Sequence, residues 1–153
     1  MTTTSDIWII VDSSGSMVEG QRLYLARSIV REIEQCARFG YLKTCQIHLA
    51  KATGSVVEEM AWNTDEEIPS ALLDAGEAVR GTGIADFIKA HDGRFVVVTD
   101  GFWGRIVRDA IKLVAEERKG FVRIIKVGRS AKYLHGDYVF SAEEPWRFLE
   151  GWT

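Results

Sequence analysis

The chain has 153 residues, 46% of them hydrophobic and 27% charged, a balance that excludes disorder, collagen and coiled coil. Nineteen basic residues against 22 acidic ones leave a net charge of −3, and no Lys/Arg stripe emerges, so no nucleic-acid partner is expected. Two cysteines, Cys36 and Cys45, are too few for a disulfide-dense secreted scaffold, and the spacing reads both as small core residues.

Ile7 to Val11 is a short apolar run that ends in Asp12-Ser13-Ser14-Gly15-Ser16, the pattern of a strand buried on both faces and followed by a polar loop. Leu23, Ala26, Ile29, Val30, Ile33, Cys36 and Ala37 recur at helical spacing, predicting an amphipathic helix from about Gln21 to Phe39 closed by Gly40. Arg22 falls off that stripe. Thr44 to Lys51 predicts a strand, and Ser55 to Trp62 its antiparallel return across a turn at Thr53-Gly54. Ala71, Leu72, Ala75 and Val79 predict a helix over Ser70–Val79, broken by Gly81-Thr82-Gly83, with a short helix over Asp86–Ala90.

Phe95 to Val98 is a second fully apolar run, and it ends in Thr99-Asp100-Gly101. A helix is predicted from about Gly104 to Lys119, burying Ile106, Val107, Ala110, Ile111, Val114 and Ala115. Phe121–Val127 predicts a strand, Tyr138–Phe140 an edge strand and Pro145–Leu149 a last helix. Strands alternating with helices predict one α/β domain over residues 1–153. It has three layers, α/β/α, and a doubly wound, mostly parallel sheet of about six strands with one antiparallel edge hairpin. No apolar stretch approaches the ~20 residues of a membrane span, and no basic, signal-like segment opens the chain. The expectation is a cytoplasmic protein with no membrane partner.

Two polar clusters sit where strands end, which is where open α/β sheets hold ligands. Asp12, Ser14 and Ser16 form one, and Asp100 belongs to the other. Thr82 lies in a Gly-flanked loop. All five side chains offer oxygen, and no His or Cys joins them, so the chemistry suits a hard cation: Mg²⁺, with Mn²⁺ or Ca²⁺ as alternatives. Three neutral hydroxyls and two carboxylates leave such an ion with positive charge for an outside carboxylate, which is a recognition device. The histidines, His48, His91 and His135, share no ligand spacing. Trp62, Trp146 and Trp152 read as packing residues.

Val11-Asp12-Ser13-Ser14-Gly15-Ser16-Met17 resembles the first motif of the metal-ion-dependent adhesion site of von Willebrand factor A domains. Arg80-Gly81-Thr82 resembles the threonine loop of that site, and Val98-Thr99-Asp100-Gly101 its final aspartate. The resemblance implies a Rossmann-like sheet with a metal at its top, held by Asp12, Ser14, Ser16, Thr82 and Asp100. Ser14, Ser16 and Thr82 would ligate directly, and the aspartates directly or through water. The implied activity is protein–protein binding through a partner's acidic side chain, not catalysis. A signal-free domain resembles the intracellular bacterial members, which serve as adaptors beside AAA+ ATPases of the MoxR type or in stress-response sets such as tellurium resistance. Met17, Phe102 and Trp103 would then form a partner-binding rim.

Two other readings stand beside this one. A Mg²⁺-dependent hydrolase or phosphotransferase would share the sheet, but the chain has no G-x-x-x-x-G-K-[ST] loop and no G-x-S-x-G turn. A metal-free structural subunit would need none of the five oxygens.

Overall fold

The computed structural model describes residues 5–43, 46–128, 134–144 and 147–152. Among these residues six strands form one sheet: β1 (Ile7–Asp12), β2 (Ile47–Thr53), β3 (Val56–Met60), β4 (Arg94–Thr99), β5 (Val122–Lys126) and β6 (Val139–Ser141). Their spatial order is β3-β2-β1-β4-β5-β6, all neighbours parallel except the β2–β3 hairpin. Among the described residues three α-helices cover it: α1 (Arg22–Arg38), α2 (Gly83–Ala90) and α3 (Arg105–Glu117).

The apolar runs explain the layering. Every residue of β1 and β4 is buried, so both strands need cover on both faces. Ile7, Ile9, Val11, Val96 and Val98 pack with Leu23, Ala26, Val30 and Ile33 of α1. Their alternates Trp8, Ile10, Phe95 and Val97 pack with Ile84 and Ile88 of α2 and Val107, Ile111 and Val114 of α3. The chain leaves β1 towards β2 on one side and reaches β4 on the other. Strand order therefore reverses between β1 and β4, and the carboxyl ends of both point to the same edge.

Four expectations are corrected. The helix over Ser70–Val79 is only a 3-10 turn, Ser70–Leu73, after which Asp74 is extended (ψ 108°). Tertiary bonds claim the backbone there. Lys51 Nζ donates to the carbonyls of Ala71 and Asp74, Gly76 N donates to Ser13 O (2.8 Å), and Gly54 N donates to Glu77 O (3.1 Å). Ile106 is 69% exposed, because the buried stripe of α3 runs Val107, Ile111, Val114 and Ala115 and leaves Ile106 about a hundred degrees round the helix. Gly83 does not break a helix but begins α2. Arg147 to Gly151 is a run of turns with i→i+3 bonds, such as Glu150 N to Arg147 O, rather than an α-helix. Pro145 and Trp146 of that expected helix, and Thr44 and Cys45 of the expected strand, lie outside the described residues.

Candidate metal centre

Asp12 closes β1 and is fully buried. Its Oδ1 accepts the backbone N–H of Ser14 (2.9 Å), and its Oδ2 accepts the Thr99 hydroxyl (2.6 Å) and Trp103 Nε1–H (3.1 Å). Burial pushes its carboxyl above the ordinary range; the nearby Asp100 charge pushes the same way, while the bonds from Thr99 and Ser14 oppose them. Asp100, one residue beyond β4, repeats the local design. It is 1% exposed, and its Oδ1 accepts Phe102 N–H (3.1 Å). Each strand-end aspartate thus spends one oxygen on its own loop, two residues on.

The register brings the two loops together. Val11 pairs with Val98, so Asp12 stands opposite Thr99 at the switch point. Thr99 Oγ1 also accepts Gly101 N–H (3.0 Å), and Gly101 turns the chain at φ 81°, a conformation that suits glycine. Ser13 is turned away; its hydroxyl donates to Leu72 O (3.2 Å) and its carbonyl accepts Gly76 N–H. Ser14 and Ser16 then point the same way, their hydroxyl oxygens 3.2 Å apart. Cis ligands of an octahedral Mg²⁺ at roughly 2.1 Å lie about 3.0 Å apart, so this spacing fits a shared hard cation.

Asp12, Ser14, Ser16 and Asp100 therefore converge at one edge of the sheet. Thr82 is placed differently. It is exposed just before α2, and its hydroxyl donates to Asp86 Oδ2 (2.7 Å). Among the described residues no three His, Cys, Asp or Glu side chains gather into a metal-holding group. The donor set is two carboxylates with hydroxyls, which suits Mg²⁺ or Mn²⁺ and not a softer metal.

Two of the three expected rim residues are corrected. Phe102 is 50% exposed, but Met17 is fully buried and Trp103 only 6% exposed. Met17 is drawn inward by the 3-10 turn that follows Ser14 (Met17 N to Ser14 O, 3.0 Å), and Trp103 by its bond to Asp12. Val18, next along, is 60% exposed. Three partners escaped the sequence reading. Thr99 was findable from strand pairing and Trp103 from nothing local. Arg22 falls off the apolar stripe of α1, yet its Nη1 lies 3.4 Å from Asp100 Oδ2 and 3.2 Å from Ser16 O.

The chain is similar to several solved structures. One is the manganese-loaded TRAP protein of Plasmodium vivax, with a TM-score of 0.59 and 13% identity over 96% of this chain and 72% of that one. Another is an aerotolerance-related membrane protein from Bacteroides fragilis, at TM-score 0.53 and 19% identity over 80% of this chain and 67% of that one. The fold is that of a von Willebrand factor A domain. Proximal thread matrix protein 1 from the mussel byssus shares it at TM-score 0.58 and 14% identity, with this chain spanning 97% of itself but 44% of that protein. No protein-family model and no curated protein sequence matches the chain. Within the von Willebrand A fold, the converged oxygens occupy the carboxyl edge of the two central strands. No helix among the described residues is long and apolar enough to cross a membrane.

Proposed function

We propose that this chain is a divalent-cation-dependent protein-binding domain that docks an acidic side chain of a partner. The observation that carries the reading is the pair of Ser14 and Ser16 hydroxyls, 3.2 Å apart, beside two buried aspartates at the switch point of the sheet. Ser14, Ser16 and Asp100 would hold Mg²⁺ or Mn²⁺. Asp12 already accepts three hydrogen bonds, so its part is to fix both loops and supply charge. Thr82 joins only by releasing Asp86. A bound divalent ion supplies a Lewis-acidic charge that a carboxylate can ligate. The manganese in the similar TRAP structure supports the choice of ion. Half-exposed Phe102, with Val18, offers apolar contact beside it.

Binding rather than catalysis is favoured because the two hydroxyls face each other and Asp100 faces Arg22, which leaves neither serine paired with an imidazole base. The resemblance to intracellular bacterial adaptors extends the proposal to a cytoplasmic partner such as an AAA+ ATPase. Isothermal titration of the chelator-stripped protein with Mg²⁺ and Mn²⁺, beside Ser14→Ala, tests the reading. One-site saturation abolished in Ser14→Ala is expected, and acetate should tighten it. An absence of saturable binding with and without acetate would overturn the metal reading.

A further inference from the structure

Arg22 is the first residue of α1, and its side chain turns back over the candidate site. Nη1 lies 3.2 Å from Ser16 O, 3.4 Å from Asp100 Oδ2 and 3.8 Å from Glu19 Oε2. The guanidinium carbon sits 5.6 Å from the centre of the Phe102 ring. The side chain is 14% exposed, against 1% for Asp100 and 78% for Glu19. Its room comes from Gly128, beyond β5: a Cβ there would come within 3.0 Å of Arg22 Nε and 3.3 Å of Nη2. Three loops and a helix start thus shape one lodging for a guanidinium, against Asp100 Oδ2.

We propose that Arg22 is the built-in counter-ion of the site: it holds Asp100 when no divalent ion is bound, and it must swing away from Asp100 for one to bind. The inference rests on the metal reading above. An ion ligated by Asp100 Oδ2 at roughly 2.1 Å would lie so close to Nη1 that two positive charges would share one buried carboxylate. Glu19 Oε2, already 3.8 Å from the same nitrogen and on the solvent side, is a carboxylate placed to receive the displaced guanidinium. The site is therefore set for weak metal affinity on its own. A carboxylate partner would raise that affinity, since it adds a negative charge where the ion and Arg22 both stand.

The test compares the whole, chelator-stripped chain with Arg22→Gln and Arg22→Lys, each titrated with Mn²⁺ and Mg²⁺ in a calorimeter. Arg22→Gln is expected to bind Mn²⁺ at least about tenfold tighter than the wild type. Arg22→Lys, which keeps the charge, is expected to stay within about threefold of the wild type. A second measurement needs no variant to fold: the Nε–Hε NMR signal of Arg22, followed during Mg²⁺ titration of the wild type, should move with the calorimetric saturation. If Arg22→Gln binds no tighter than the wild type while the wild type binds, or if the Arg22 signal stays still as metal binds, the counter-ion inference fails and the metal reading stands. If neither the wild type nor Arg22→Gln binds either ion, with acetate or without it, both fall together.

Discussion

Asp12 does two jobs that pull apart under mutation. As a charge it is costly, because its carboxylate is fully buried beside Asp100. As an acceptor it satisfies Thr99, Trp103 and the Ser14 amide at once. Asp12→Ala relieves the first and strands three buried donors, each worth about 1–3 kcal/mol unsatisfied. The net expected outcome is a loss on the order of 2–4 kcal/mol, read as a lower urea midpoint at unchanged slope. An unchanged midpoint would mean that the three donors find other acceptors and that Asp12 is not the keystone of the two loops. Ser14→Ala removes one hydroxyl shared between Ser16 and the Asp12 carboxyl and keeps the Thr99, Trp103 and Ser14 amide bonds to Asp12, which makes it the cleaner probe of metal binding. The aspartates and serines were legible in the sequence because each follows an apolar run with one direction to go. Thr99 is legible only through strand pairing, and Trp103 and Arg22 not at all, because these contacts span 87, 91 and 78 residues respectively.

The elements show the same division. Strands buried on both faces were readable as unbroken apolar runs, and α1 and α3 as 3.6-residue stripes. The Ser70–Val79 segment carried a helical stripe too, but Lys51, Ser13 and the β2–β3 turn took its backbone groups, and local pattern lost to tertiary bonds. That borrowed segment leads directly into α2 through Gly83. A Cβ at Gly83 would lie 2.4 Å from the carbonyl oxygen of Ser55, a backbone atom that cannot rotate aside. Gly83→Ala is therefore expected to cost about 2–3 kcal/mol, the upper range for overpacking, although alanine is the better helix former by about 1 kcal/mol. Thermal melting beside Gly104→Ala, where nothing lies within 4 Å of a Cβ, checks it. Equal melting temperatures for the two variants would show that α2 does not lean on the hairpin. If the contact holds, amide exchange at Ser55 and Thr82 should quicken together in Gly83→Ala, since one close approach anchors both loops.

At the scale of the whole molecule, the two ends of the sheet are built for different tasks. The amino end of β4 is packed shut: Trp152 lies 4.2 Å from the Arg123 guanidinium and 5.3 Å from that of Arg94, and its Nε1–H donates to Gly120 O (2.8 Å). The carboxyl end keeps polar, half-open loops and two buried acids, Asp100 against Arg22 and Asp12 against Thr99, Trp103 and the Ser14 amide. Asp12 and Asp100 are 88 positions apart in sequence and meet only when β1 and β4 pair, so the unfolded chain carries no equivalent of the site. A cation that binds there binds the folded state alone and must raise its stability by mass action. At a hundredfold excess over its dissociation constant, Mn²⁺ should add about 2.7 kcal/mol. For a domain of this size that amounts to a rise in melting temperature of roughly 5–10 °C. The rise should saturate with Mn²⁺ concentration, vanish in Ser14→Ala and reach its plateau at lower Mn²⁺ in Arg22→Gln. Without metal, Arg22→Gln should melt below the wild type, because Asp100 then stays buried without its counter-charge. A shift that is equal in the wild type and Ser14→Ala would place the ion elsewhere on the acidic surface and detach metal binding from the switch point.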